Sequence, residues 1–444
     1  MLSTVRLAVA WALTGLATGP LAAGQQALTR DDYRADLAEL RRRAAAEWSY
    51  ADDKREHFGV DLEALHAAAE AALGEQPTLD DFADALQVFV AGMKDGHAGV
   101  FVPGHSRHRS RAWPFTLADT TDGLLVDAVA PGLGSISRGD KLLAVDQRPL
   151  QDWLEQALRR SFASTDGSRR QRALEAVRET EAARVRVVLE SPAGRLAELE
   201  LETLPAGQDL EAPPRPAAGN FHSRLAGDVG YLRLGTFAAP DPLAWSRGTH
   251  EDWPRLIEPV VAVIRQAFAE LADTRALILD LRGNDGGTDL LGMEVARHLV
   301  GPDRTYFQLQ ARRPDGSWSG LSQHAPPDGA SVPRYDKRLV VLIDERTFST
   351  ADNLSACLAD SLPEATFVGR PTGGGTGAPR AITLERTGAS VTFCTQRVYG
   401  PAGGLTEGRG VQPDVPVRWT RDDLLSGRDA DLEAALALLG NGER

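Results

Sequence analysis

From Leu28 to about Val90 the apolar residues recur at helical spacing, with charged residues on the opposite face. Thr29 with Asp32, and Thr78 with Asp81, each place a capping oxygen three residues ahead of an acid, the layout of a reciprocal helix cap. The run "HFGVDLEALHAAAEAALGEQPTLDDFADALQVFVAGM" predicts two amphipathic helices broken at Gly-Glu-Gln-Pro, so residues 24–104 read as a small helical domain. The pattern then changes period. "PFTLADTTDGLLVDAVAPGLGSISRGDKLLAVDQRPL" alternates apolar and polar residues around Gly and Asp turns, a helix is expected around Trp153 to Leu158, and "ARVRVVLESPAGRLAELELETL" reads as a hairpin. Residues 111–205 are therefore a β-rich domain, and the Pro-rich stretch at 206–219 is a linker. Over 220–444 strands and helices alternate: "VGYLRLGTF", a helix from about Leu256 to Leu271, "ALILDL", a helix from about Leu290 to Leu299, "LVVLI", and a helix behind Ser349. Such alternation predicts an α/β layer on a largely parallel sheet.

Size and charge narrow the function. A chain of 444 residues supports several domains, and 42% hydrophobic with 25% charged residues is ordinary for a soluble globular protein. With 49 Lys plus Arg against 62 Asp plus Glu the formal charge is −13, and no long basic run interrupts it, which argues against a nucleic-acid partner. The opening "MLSTVRLAVAWALTGLATGPLAAGQQ" has one early Arg6, an apolar stretch from Leu7 to Ala17 and then small residues. That is the layout of a signal peptide over 1–23 with cleavage after Ala23, too short for a comfortable membrane span, so export to a periplasm or the medium with no stable span is expected. Cys357 and Cys394 lack metal-ligand spacing; they are either a disulfide or two buried free thiols. The oligomeric state is not legible.

Two stretches carry candidate chemistry. Ser349 stands where a polar elbow after "LVVLI" enters a helix, a position that suits a nucleophile and equally suits a capping hydroxyl. After "ALILDL" comes "RGNDGGTD", Arg282 to Asp289, whose glycines let backbone N–H groups converge on an anion, whether a phosphate or an acyl-transfer oxyanion. The spacing matches no phosphate-binding loop, and an ordinary glycine turn is the alternative.

The run from Gly123 to Leu150, centred on "SRGDKLLAVDQRPL", resembles a PDZ domain. Taken together, "ALILDLRGNDGG", "DERTFSTADNL" and "EGRGVQPDVPV" resemble the C-terminal processing peptidases and tail-specific proteases, serine peptidases whose relatives include the tricorn core protease. The resemblance implies an α/β core with a ClpP/crotonase-like sheet, preceded by the helical and PDZ-like domains. It implies an exported serine endopeptidase acting on protein tails or unfolded polypeptides, with Ser349 as nucleophile and no metal or cofactor. The processing peptidases take their base from a lysine, whose place here falls on Gly374. The tricorn-like branch uses a histidine ahead of the PDZ-like region and a late glutamate, which correspond to His97 as base and Glu407 as the residue that orients it. That branch has a serine before its histidine, where this chain has Gly96. The implied oxyanion donors are the N–H of Gly286 or Gly287 and that of Thr350. A non-catalytic binder of hydrophobic ligands or peptide ends, as in the interphotoreceptor retinoid-binding relatives, is the alternative. A phosphate-binding role for "RGNDGG" is weaker, since only Arg282 accompanies it.

Overall fold

The computed structural model describes residues 28–105, 109–208, 210, 219–326 and 332–440; the expected signal peptide and most of the linker lie outside them. Four helices open the described chain: α1 (Arg30–Glu47), α2 (Ala51–Phe58), α3 (Leu62–Ala72) and α4 (Leu79–Gly92). Both reciprocal caps form, Thr29 with Asp32 and Thr78 with Asp81, and the break between α3 and α4 falls at Gly-Glu-Gln-Pro. The helices do not close a core of their own. Leu37, Leu40, Phe82, Leu86 and Phe89 share one buried cluster with Ile382, Leu384, Val391 and Phe393 from the far end of the chain. Those partners lie on a second sheet, Gly99–Phe101, Ser390–Tyr399, Phe307–Ala311 and Ser322–His324 in that order, with Ala378–Thr383 also paired to Ser390–Tyr399.

The predicted α/β layer is present. Its six strands run Asn220–Leu225, Val229–Leu234, Ala276–Asp280, Arg338–Ile343, Thr366–Gly369 and Val415–Pro416; the first pair is antiparallel and the rest are parallel. Every residue of Ala276–Asp280 is buried, because the sheet is covered on both faces. Leu277 and Leu279 face the helices Trp253–Glu270, Asp289–Leu299 and Thr350–Ser361, whereas Ala276 and Ile278 meet Ala435 and Leu439 of the closing helix Ala430–Gly440. Between the helical segment and this layer, Phe115–Thr120, Gly123–Val129, Lys141–Val145, Arg184–Glu190 and Leu196–Glu202 form an antiparallel sheet with the helices Leu150–Arg160 and Asp166–Ala176. Its two ends meet where Arg111–Ala112 pairs with Leu204–Pro205. Among the described residues no helix is long and apolar enough to cross a membrane.

Candidate active site

The strand Arg338–Ile343 ends in a turn held by Thr347, whose hydroxyl accepts from Asp344 N at 3.0 Å and donates to Leu281 O at 3.0 Å. Ser349 follows at φ 58°, ψ −119°, a left-handed conformation that costs a non-glycine residue on the order of 1–3 kcal/mol. Its side chain makes no capping bond to the helix Thr350–Ser361. The backbone instead throws Oγ forward to 3.1 Å from His97 Nε2. Of the two roles open to this hydroxyl in the sequence, the cap is not the one it takes, and the half-buried Oγ stays free of the helix.

His97 lies in the turn after α4. Asp95 Oδ1 accepts its backbone N–H at 2.9 Å, and Asp95 Oδ2 accepts from Trp48 Nε1 and Cys394 N, both at 2.9 Å, so a buried carboxylate ties the turn to both core segments. The imidazole leans on Phe348 with ring centroids 4.7 Å apart, and Arg172 lies over the same phenyl ring at 5.0 Å. Gly96 is confined there: a Cβ would stand 2.7 Å from the Phe348 ring and 2.8 Å from Ser164 Oγ, which itself accepts Gly96 N–H at 2.8 Å. Ser164 of the β-rich segment thus stands against the backbone of Gly96. Burial pushes the imidazole down to about 4, against the pull of Asp95 and with a push from Arg172, so the ring is neutral at pH 7. Its Nδ1 has no hydrogen-bond partner among the described residues.

The glycine turn faces the serine from the next strand end. Gly286 N–H donates to Asn284 Oδ1 at 2.9 Å, and Asn284 is fixed by Nδ2 donating to Leu234 O at 2.9 Å. Gly287 N–H and Thr350 N–H donate to no described atom, the latter because it opens a helix. Thr350 Oγ1 donates to Gly287 O at 3.1 Å and holds the two segments together. Of the expected oxyanion donors, Gly287 and Thr350 are therefore available and Gly286 is engaged. Gly286 supplies space instead: at φ 94° a Cβ there would sit 2.6 Å from Ser349 Cβ.

Glu407 is fully buried but makes no hydrogen bond to His97. Its Oε2 accepts Thr376 N–H at 2.9 Å, and its Oε1 lies 2.8 Å from Lys54 Nζ of α2. Burial raises this carboxyl to about 7, with Lys54 pulling it down and Asp95 pushing it up. Gly374, where the resemblance to the processing peptidases would put a lysine, has φ 64° and is wedged against Gly410 N, 2.7 Å from where a Cβ would stand. Cys357 and Cys394 are both buried free thiols. Asp95, His97 and Cys394 gather within 4.8 Å, the one set of possible metal donors found among the described residues, but both Asp95 oxygens already serve N–H donors. Lys54 and Ser164 have no signal in the sequence: each sits in a segment without a motif and acquires its place only by tertiary contact.

A strained serine at a strand-to-helix elbow, a neutral imidazole on its hydroxyl and two unengaged N–H groups beside it have the geometry of a serine-hydrolase centre. Residues 228–417 match the family model of peptidase family S41. It is 31% identical over 194 residues to the chloroplastic C-terminal processing peptidase of Tetradesmus obliquus, covering 42% of this chain and 34% of that protein. It is 24% identical over 216 residues to the carboxy-terminal-processing protease of Bartonella bacilliformis, covering 47% of this chain and 43% of that protein. The chain thus matches less than half the length of these curated relatives. The fold of mature CPAF superposes with a TM-score of 0.73 at 19% identity, over 92% of this chain and 98% of that one.

Proposed function

We propose that the chain is an exported serine endopeptidase that cleaves protein tails or unfolded polypeptides through an acyl-enzyme on Ser349. The observation that carries this reading is the strained Ser349, its Oγ 3.1 Å from a neutral His97. Ser349 Oγ attacks the peptide carbonyl carbon while His97 Nε2 takes its proton. The oxyanion is received by the N–H of Gly287 and of Thr350. Collapse expels the amine, which leaves with the proton from His97, and a water activated by the same imidazole then hydrolyses the ester. The charge on His97 during these steps is balanced by Asp95, which holds its backbone, and by Glu407 deeper in the core. Glu407 acts without touching the ring, a departure from the relay that the family resemblance implies. Residues 111–205, by their likeness to a PDZ domain, would capture the chain end.

The test is covalent. A fluorophosphonate should label the full chain at Ser349, and Ser349→Ala should abolish the labelling. A peptide with a free C-terminus should be cleaved faster than its amidated counterpart. A chain that takes no label would instead be a binder of the same superfamily.

A further inference from the structure

The resemblance puts no lysine at Ser349, yet a buried lysine from outside the family-matched stretch pairs with Glu407. Lys54 is fully buried, its Nζ 2.8 Å from Glu407 Oε1 and 5.0 Å from the Phe58 ring centroid. The slot is built to its size, since a Cβ on Gly408 would stand 2.9 Å from Nζ and 2.7 Å from Phe58. We propose that Lys54 is a positioning residue of the active centre, holding Glu407 in place by its buried ion pair and, through Glu407, fixing the strap 373–376 that hydrogen-bonds the Ser349 backbone. This rests on reading Ser349 and His97 as a peptidase centre.

The contacts run without a gap. Glu407 Oε2 accepts Thr376 N–H at 2.9 Å; the neighbouring Gly375 O accepts Ser349 N–H at 2.9 Å; and Gly375 N–H donates to Asp352 Oδ2 at 2.9 Å. Tyr50, just ahead of α2, seconds the link, with its hydroxyl 3.2 Å from Thr376 Oγ1. Gly375 lies so close on Phe348 that a Cβ would reach 1.8 Å from its ring. A shift of the strap therefore moves both the nucleophile and the phenyl ring that supports His97.

The other groups facing the pair are Tyr50, Asp95, Asp352, Cys394, Arg409 and Ser164, whose hydroxyl also bonds the Glu407 carboxylate. Arg409 is turned to Asp53, at 2.9 and 3.1 Å, and donates to the backbone O of Glu407 rather than to its carboxylate. Asp95 favours a proton on Glu407, as burial does, whereas Asp352 is itself held protonated by burial, which leaves Lys54 as the cation in contact with Glu407. Without that cation the carboxyl titrates at higher pH, and a neutral Glu407 no longer holds the strap by charge-assisted bonding.

The experiment uses the full chain with Lys54→Met and with the double variant Lys54→Met/Glu407→Gln. In Lys54→Met, kcat at pH 7 should fall by at least about tenfold with KM within about twofold, and the acid limb should move up by about one pH unit or more. The double variant removes both buried charges, so it should fold stably yet stay slow and show no limb near neutrality. The titration of Glu407, followed by the NMR shift of its labelled carboxyl carbon, should move up in Lys54→Met whether or not the chain is a peptidase. That readout separates failure of this inference from failure of the peptidase reading. A wild-type pH profile and kcat in folded Lys54→Met would overturn it. If Lys54→Met does not fold, wild-type kcat in the double variant would do the same.

Discussion

Ser349 adopts backbone angles that glycine reaches readily and serine does not. The two substitutions that remove its hydroxyl should therefore differ in stability although both abolish turnover. Ser349→Ala keeps the strain and should melt within a few degrees of the parent. Ser349→Gly releases it, and after glycine's own entropy loss should gain about 1 kcal/mol, read as a higher melting temperature in thermal unfolding. Equal melting of the two would mean that the elbow stores no strain. The serine and the glycine turn were legible because each sits in a short motif whose conformation is local, and the histidine only through the family resemblance. Lys54 was not. Nothing near it in sequence demands a buried amine, and its neighbour Asp53 pairs with Arg409 at a separation of 356 residues. Glu407 was located in the sequence, but its contact with a lysine instead of the imidazole is a fact of packing.

Among the elements, those with strong patterns and caps fell where the sequence put them, including α3, α4 and the apolar strands Ala276–Asp280 and Arg338–Ile343. The second sheet escaped. "FQLQA" and "SVTFCTQRVY" mix apolar and polar residues without clean alternation, and each finds its partner far along the chain. The helix Asp166–Ala176 escaped because "DGSRRQRALEA" shows little of an apolar face. The helix Thr350–Ser361 carries a liability that its pattern hides: Asp352 in its first turn is buried, and burial raises its carboxyl to about 8. Its folded value lies above its unfolded one near 3.8, so the folded state holds a proton that the unfolded state releases. The contribution to stability is full below the unfolded value and is lost as pH rises through about 8. Asp352→Asn retains an acceptor for Gly375 N–H and has no proton to lose. Its melting temperature should exceed the parent's at pH 9, and the gap should close towards pH 4; a constant gap would show that Asp352 ionises freely in the fold.

At the scale of the molecule, the family-matched residues 228–417 are not a self-sufficient unit. They lack His97 and Lys54, and they leave uncovered the face on which Ile382, Leu384, Val391 and Phe393 meet the N-terminal helices. A fragment of residues 220–444 should accordingly aggregate and take no fluorophosphonate label, checked by size-exclusion chromatography and gel fluorescence. A soluble, labelled fragment would show that the helices are dispensable. The joints that close the centre span most of the chain: His97 meets Ser349 across 252 residues, Ser49 meets Cys394 across 345, and Asp36 meets Thr387 across 351. Contacts so remote in sequence form late in folding. During synthesis Ser349 and His97 are therefore on separate, unassembled pieces. The order of the chain is itself a safety catch: Ser349 and His97 are not brought together until the distant segments of the chain have met, and a polypeptide still being made holds them apart.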